Sequence, residues 1–325
     1  CLTDCLVTLA DAVAARTSEV HDIVGDSTTF PDQRWSPGMS WNNIPTRSGT
    51  GISALSIGDN EIGAKVSPGA LGAPPIIELS DYYRVENHAR TIAGAGESIE
   101  YDRTPGSHIL VMTGTIGVDS APASLRLGVD DPAHYAAWQL AKMLRARGVR
   151  VTGDIIARHR TLQPADDPAK RDATPPARTF DAPALAKLTP PALLDDIALI
   201  NKVSQNLHAE LLLGRLGLIG GTGSIADGQL VIRAMLDQAG VEDHGVSLSD
   251  GSGMSSYNRV SPGSMVRLLA WISKQSWGGQ LRATLTVGGG DGTIGRRFGD
   301  TLLAGKIAAK TDPCARGLYD HQKRS

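Results

Sequence analysis

Apolar residues recur at helical spacing in five segments of the chain. The clearest signals flank one of them, where Asp131 suits an N-cap, Pro132 suits the first helical position and Gly148 suits a C-terminal stop. The same spacing predicts helices over residues 4–15, 207–217, 228–240 and 264–274. Each predicted helix has an apolar stripe that would be buried against other elements.

Short apolar runs between these helices predict strands. They cover residues 23–26, 52–57, 109–113, 124–129 and 149–156. Because helices and strands do not alternate strictly, the order favours an α+β fold over a doubly wound parallel sheet. Seven prolines between residues 163 and 191 indicate a domain boundary, after which helical patterns predominate.

Composition narrows the possible function classes. The 325 residues are 41% hydrophobic, and 32 Lys and Arg nearly balance 34 Asp and Glu, which argues against a nucleic-acid-binding face. No apolar run approaches the roughly 20 residues that cross a bilayer, so no transmembrane segment is predicted. Cys1, Cys5 and Cys314 form neither a disulfide framework nor a metal-ligand pattern, so no metal site is expected.

Several common catalytic motifs are absent from the sequence. It contains no zinc-protease H-E-x-x-H, no Walker loop and no lipase G-x-S-x-G. One G-x-G-x-x-G match, residues 290–295, lacks the long helix and the acidic ribose-binding residue of a dinucleotide site. A tight glycine turn is expected there instead.

Three short polar stretches remain as candidates for chemistry. They are KVSQNLHAELLL from Lys202, SDGSGMSSYNRVSP from Ser249 and GKIAAKT from Gly305. Taken singly, each has an ordinary structural explanation. Ser204 or Asn206 would cap the helix that starts near residue 207, residues 250–253 would form a turn, and residues 310–311 would be an exposed strand pair.

In this order, the three stretches resemble motifs of the class C low-molecular-mass penicillin-binding proteins. This D-alanyl-D-alanine carboxypeptidase/endopeptidase family, of the peptidase S13 type, carries S-x-x-K, S-x-N, D-G-S-G and K-T-G motifs along its chain. The similarity continues through residues 23–60, 148–156 and 193–311. It therefore covers most of the chain.

The resemblance implies a mechanism. In the family, a serine attacks the carbonyl of the penultimate D-Ala, and water hydrolyses the resulting acyl-enzyme. Ser204 would relay a proton to the leaving D-Ala amine, and Asn206 would hold the substrate amide and the lysine of the nucleophile motif. Lys310 would supply positive potential near the terminal carboxylate of the substrate, and Thr311 would hydrogen-bond it.

Further residues are assigned to substrate binding on the same basis. Gln205 belongs to the S-x-N motif, and Ser252 belongs to the D-G-S-G segment near the cleft. Ser252 as a nucleophile is the alternative, although the sequence places no His or Lys beside it. Trp41 is expected either to line the site for the peptide side chain or simply to pack.

The resemblance also implies an architecture. It predicts an α+β multidomain protein, with a penicillin-binding-protein/β-lactamase-like catalytic domain of helices covering a mixed antiparallel sheet, interrupted by smaller α+β domains. Residues 1–80 with about 150–172 would form the first insert domain, 81–149 a second nested one, and 173–325 the C-terminal part of the catalytic domain. Peptidoglycan stem peptides would be the substrates and β-lactams the inhibitors. No cofactor is implied, and the location would be extracytoplasmic, in the periplasm or at the cell wall.

The sequence departs from the family pattern at two motifs. None of its nine lysines has a serine three residues before it, so the S-x-x-K nucleophile is missing. Asp312 stands where the glycine of K-T-G is expected, and only 13 residues follow it. We therefore expect a truncated or frameshifted chain that is inactive and poorly soluble alone. The alternatives are a gene remnant, a non-catalytic module that binds cell-wall peptide or, less readily, a related serine esterase.

Overall fold

The computed structural model describes residues 5–173 and 183–311. Its helices are α1 (Cys5–Ala14), α2 (Pro132–Ala146), α3 (Leu193–Val203), α4 (Asn206–Gly217), α5 (Ile225–Gln238), α6 (Pro262–Ile272) and α7 (Gly278–Thr284). Its strands are β1 (Glu19–Val20), β2 (Ile23–Asp26), β3 (Glu61–Ser67), β4 (Ile76–Leu79), β5 (Arg84–Asn87), β6 (Arg90–Ile92), β7 (Glu97–Asp102), β8 (Ile109–Gly117), β9 (Ala123–Gly128), β10 (Arg150–Val151), β11 (Ile155–Arg158), β12 (Val246–Ser247), β13 (Arg259–Val260), β14 (Thr286–Val287) and β15 (Ala308–Ala309). The α+β prediction is confirmed.

The described residues fall into two compact units. Unit 1 comprises residues 5–28, 40–159 and 184–186, and unit 2 comprises residues 29–39, 160–173, 183 and 187–311. The division into two insert domains and one catalytic domain stays a prediction. Asp312 and the cysteines Cys1 and Cys314 lie outside the described residues.

Unit 1 is built around strand β8. Strands β5 and β6 pair with β8 in parallel and β7 pairs with it antiparallel, while β3 pairs antiparallel with both β4 and β9. Leu110, Met112 and Ile116 of β8 are fully buried, and their even spacing places them on one face of the strand. The predicted strands at residues 109–113 and 124–129 are thus confirmed.

Helix α2 of unit 1 begins and ends close to where the sequence predicts. The Asp131 side chain accepts a hydrogen bond from the backbone N–H of His134 at 3.0 Å, and Pro132 is the first helical residue. The buried face of α2 contains Ala137, Ala141 and Leu144. These residues form a small core, and residues of the parallel strand pairs β1–β10 and β2–β11 pack against it.

The strand predicted over residues 52–57 is wrong, because this segment is irregular and bends at residues 54–55. Asn60 is fully buried, and its side-chain amide donates to the Gly51 carbonyl and to the Ser56 hydroxyl, both at 3.0 Å. The Asn60 amide oxygen accepts the N–H of Ile57 at 3.1 Å. A side chain thus takes the N–H of Ile57 and the carbonyl of Gly51, at the two ends of the segment, which a β-ladder would have used.

Unit 2 contains five helices among its described residues, and three of them, α4, α5 and α6, start one to three residues before the predicted position. Ser224 caps α5 by accepting from the N–H of Asp227, and Ser261 caps α6 by accepting from the N–H of Ser264, both at 3.1 Å. Helices α4 and α5 cross closely at Gly228, where an added Cβ would lie 2.4 Å from the Leu213 carbonyl oxygen.

An ion-pair network fastens the start of α5 to the chain around residue 171. The Asp227 side chain is 3% exposed and pairs with the Arg171 guanidinium. The N–H and hydroxyl of Thr222 also donate to Asp227 Oδ2, at 2.7 and 2.9 Å. Burial by itself would raise the pKa of Asp227, but Arg171 and these hydrogen bonds outweigh it and hold the pKa below its usual value.

None of the helices in residues 5–173 and 183–311 is long and apolar enough to cross a membrane. Within the same ranges, no group of three or more His, Cys, Asp or Glu side chains is arranged to hold a metal ion.

Candidate active site

The junction between α3 and α4 carries the S-x-N stretch. Helix α3 ends at Val203, and Ser204 adopts a left-handed conformation with φ 59° and ψ 55°. Gln205 caps α4, since its side-chain oxygen accepts the N–H of Leu207 at 3.3 Å. The cap is therefore Gln205, whereas the sequence suggested Ser204 or Asn206. Asn206 becomes the first residue of α4 and is buried.

Strand β15 brings Lys310 to this junction. Residues 308–309 pair antiparallel with β14, and Lys310 and Thr311 follow directly. The Lys310 ammonium donates to Ser204 Oγ at 2.7 Å and to the Thr311 carbonyl at 2.8 Å. The Ser204 hydroxyl in turn donates to the Thr311 carbonyl at 3.4 Å. Two predicted site residues that are 106 positions apart in sequence are thus in direct contact.

The residues 290–295 form a turn, as expected, and this turn contacts Thr311. Residues Gly292–Ile294 make a single 3-10 turn, with Gly292 at φ 69°. The hydroxyls of Thr293 and Thr311 are 2.6 Å apart. The glycine-rich stretch therefore belongs to the same site as the K-T pair and makes no nucleotide-binding helix.

Glu210 is a buried residue of the site that the sequence reasoning missed. It lies one helical turn after Asn206 on α4 and is 5% exposed. Its carboxylate accepts the backbone N–H groups of Gly251 at 3.0 Å and Ser252 at 3.1 Å, and the Ser252 hydroxyl at 2.6 Å. The Ser36 hydroxyl also donates to it at 3.5 Å. Glu210 thus fixes the D-G-S-G loop against α4.

Burial raises the pKa of Glu210, and the nearby Asp250 carboxylate adds to this increase. The Ser252 hydroxyl and the two N–H donors act in the opposite direction by stabilising the anion. Asp250 itself is buried and accepts the N–H of Gly253 at 2.8 Å and the side-chain amide of Asn258 at 2.7 Å. Two buried carboxylates, each with its own set of donors, therefore shape this loop.

These elements enclose a cavity of about 730 Å³ in unit 2. Its polar lining comes from four places, namely Asn201 near the end of α3, the start of α4, residues 250–258 and the end of β15. The predicted residues that line it are Gln205, Asn206, Ser252, Lys310 and Thr311. Leu269 and Val260 contribute apolar surface. A cation and hydroxyls beside an apolar wall suit a short peptide that ends in a carboxylate.

Trp41 belongs to unit 1, where it begins a 3-10 turn over Trp41–Asn43. Its side chain is 72% exposed. The substrate-binding role of Trp41 stays a prediction.

Residues 6–313 match the sequence profile of the D-Ala-D-Ala carboxypeptidase 3 (S13) family. The chain belongs to this family. The match spans both the three polar stretches and the segments between them, as the resemblance predicted.

Two curated relatives are longer than this chain. The D-alanyl-D-alanine carboxypeptidase of Actinomadura sp. (strain R39) is 29% identical over 306 residues, which cover 89% of this chain and 54% of the relative. D-alanyl-D-alanine carboxypeptidase DacB of Haemophilus influenzae is 23% identical over 311 residues, which cover 92% of this chain and 60% of the relative. The chain spans little more than half the length of these relatives.

Solved structures of penicillin binding protein 4 are similar to this chain in fold. The crystal structure of penicillin binding protein 4 (dacB) from Haemophilus influenzae matches 94% of this chain and 67% of its own, with a TM-score of 0.76 and 21% identity. A second structure of that protein, complexed with a novel β-lactam, matches with a TM-score of 0.67 and 20% identity. The chain thus has the α+β multidomain fold of a low-molecular-mass penicillin-binding protein.

Proposed function

We propose that the cavity in unit 2 recognises the D-Ala-D-Ala end of peptidoglycan stem peptides, as part of a serine-type carboxypeptidase/endopeptidase site. The contact between Lys310 and Ser204 carries this proposal. Lys310 lines the cavity, and Ser204, which is not among the lining residues, directly precedes the lining residues Gln205 and Asn206. Family membership supports the substrate class. β-Lactams, which resemble the peptide end, would enter the same cavity.

We assign separate roles to Ser204 and Lys310, and their contact supports this assignment. The Lys310 ammonium donates to Ser204 Oγ, so it stabilises the negative charge that develops when the Ser204 hydroxyl gives up its proton. The leaving D-Ala amine is the acceptor of that proton in the proposed reaction. Thr311 and Lys310 would bind the terminal carboxylate, and the Asn206 amide would hold the peptide bond of the substrate.

We also propose that these 325 residues bind their ligands without forming an acyl-enzyme. Acylation in the proposed reaction needs a serine three residues before a lysine, and none of the nine lysines has one. Because the chain has this cavity, we favour a peptide-binding role over a gene remnant without any binding site. The expected location is outside the cytoplasm, where stem peptides occur.

Two measurements test the proposal. After incubation with benzylpenicillin, the intact mass of the chain should stay unchanged, and a stoichiometric adduct on any serine would refute the non-acylating role. Calorimetric titration with N-acetyl-D-Ala-D-Ala should show binding that weakens about tenfold or more in Lys310→Ala, through loss of a charge-assisted contact. Lys306→Ala is the matched control on the same exposed segment and should bind normally. Absence of binding by the unaltered chain would refute the proposed function.

A further inference from the structure

The turn at residues 290–295 is attached to the active site on two sides. On one side, the Lys202 ammonium of α3 pairs with Asp291 Oδ2 at 2.5 Å and donates to the Leu285 carbonyl at 3.1 Å. An added Cβ on Gly292 would lie 2.8 Å from the Lys202 carbonyl oxygen. The turn is thus held against the last helical residues before Ser204.

On the other side, the turn contacts the substrate-binding end of β15. Thr293 Oγ1 lies 2.6 Å from Thr311 Oγ1, which is hydrogen-bonding distance for two hydroxyls. Thr311 lines the cavity, whereas Thr293 is absent from the described lining. Any effect of Thr293 on a ligand would therefore pass through Thr311.

Each hydroxyl has one proton, and this limits what the pair can do. If Thr293 donates to Thr311 Oγ1, the proton of Thr311 remains available for a ligand oxygen. If Thr311 donates to Thr293 instead, that proton is used within the protein. An anionic ligand in the cavity favours the first arrangement, because a carboxylate accepts hydrogen bonds and donates none.

We propose that Thr293 is a positioning residue for recognition of the terminal carboxylate. Its hydroxyl donates to Thr311 Oγ1, holds the Thr311 side chain in one rotamer and leaves the Thr311 proton directed at the carboxylate of the peptide. The proposal rests on the proposed function, since it concerns the same cavity and ligand. It assigns a role to the glycine-rich stretch, as the support that carries Thr293 to Thr311.

The test compares ligands that differ only in the terminal group. N-Acetyl-D-Ala-D-Ala and its C-terminal amide are titrated calorimetrically into the unaltered chain and into the variants Thr293→Val and Thr293→Ser. Valine keeps the shape of threonine but has no hydroxyl, and serine keeps the hydroxyl. Thr161→Val, at an exposed position of unit 2, is the matched control.

We expect the loss of the Thr293 hydroxyl to weaken binding of the free acid more than binding of the amide. Thr293→Val should weaken binding of the free acid about tenfold or more and weaken binding of the amide by a clearly smaller factor, because a hydrogen bond to a charged carboxylate is stronger than one to a neutral amide oxygen. Thr293→Ser and Thr161→Val should both bind the acid within about twofold of the unaltered chain, since each leaves the hydroxyl pair available. Thermal melts followed by circular dichroism check that each variant is folded. If Thr293→Val does not fold, Thr293→Cys replaces it, since its thiol is a weaker donor of similar size.

Two results would overturn the inference, and a third would refute the function on which it rests. Equal losses for acid and amide in Thr293→Val would indicate a structural role alone. Unchanged binding of the acid by that variant would show that Thr311 does not need Thr293. Failure of the unaltered chain to bind the acid at all would instead refute the proposed function itself.

Discussion

Replacing Glu210 by glutamine should loosen the D-G-S-G loop. The carboxylate accepts two backbone N–H groups, from Gly251 and Ser252, one on each oxygen. Both oxygens of the glutamate keep acceptor lone pairs whether or not the group is protonated, whereas a glutamine has a single acceptor oxygen and its NH₂ group would face the second N–H. The serine hydroxyls at this site can rotate to accept, but a backbone N–H cannot. One buried donor therefore loses its partner in Glu210→Gln.

The size of the effect follows from that unpaired donor. A buried N–H without a partner costs about 1–3 kcal/mol, which corresponds to loop opening about 5- to 150-fold more often. The pH dependence has a definite sign. Because burial raises the pKa of Glu210, its contribution to stability is complete below the ordinary value of 4.5 and falls as pH rises through the folded value. Glutamine does not titrate, so the difference in the free energy of loop opening between the unaltered chain and Glu210→Gln narrows as pH rises above 4.5.

Hydrogen–deuterium exchange measured on peptides that span residues 248–256 reports this loop directly. Exchange in Glu210→Gln should be faster by the stated factor, after correction for the intrinsic effect of pH. Glu242→Gln is the control, since the Glu242 side chain is 56% exposed and its ion pairs contribute little. The reasoning is refuted if the loop exchanges equally fast in both variants. It is also refuted if the difference in exchange rate between Glu210→Gln and the unaltered chain widens with rising pH.

Two further predictions concern unit 2. Asp227→Asn should remove the stabilisation by the buried pair with Arg171. Because the folded pKa of Asp227 is lowered, the unaltered chain should have the larger free energy of unfolding above pH 3.8, and this difference should disappear as pH falls below that value. Urea unfolding between about pH 2 and 5 measures it. Gly251→Ala should displace the loop from α4 and lower the melting temperature, because its Cβ would lie 2.5 Å from the Ala209 carbonyl oxygen. The control Gly279→Ala has no atom within 4 Å of the added Cβ and should melt normally. Equal melting temperatures of the two variants would contradict the prediction.

The helices were predictable because their information is local. Asp131 and Pro132 define the start of α2 within two residues of sequence, and the structure confirms both. The contact between Ser204 and Lys310 is different in kind. It joins positions 106 residues apart, which spacing and periodicity cannot relate, and the resemblance to a family assigned both residues to one site without predicting their contact.

The features that the sequence missed depend on tertiary contacts. Glu210 occurs as one acidic residue in an apolar stretch of α4, where a solvated position is the ordinary interpretation of the pattern. Its burial becomes visible only when the N–H groups of the loop at 251–252 are placed against it. Similarly, residues 52–57 have the composition of a strand, but the side chain of Asn60 binds the N–H of Ile57 at the end of the segment and the carbonyl of Gly51 just before it.

The left-handed backbone of Ser204 has a consequence for engineering this chain. A non-glycine residue in that conformation is strained by about 1 kcal/mol, which glycine would relieve. A redesign guided by melting temperature alone would therefore favour Ser204→Gly and would remove the hydroxyl that meets Lys310. Stability and chemistry have opposite optima at this single position, so it should be held fixed while the rest of the chain is optimised.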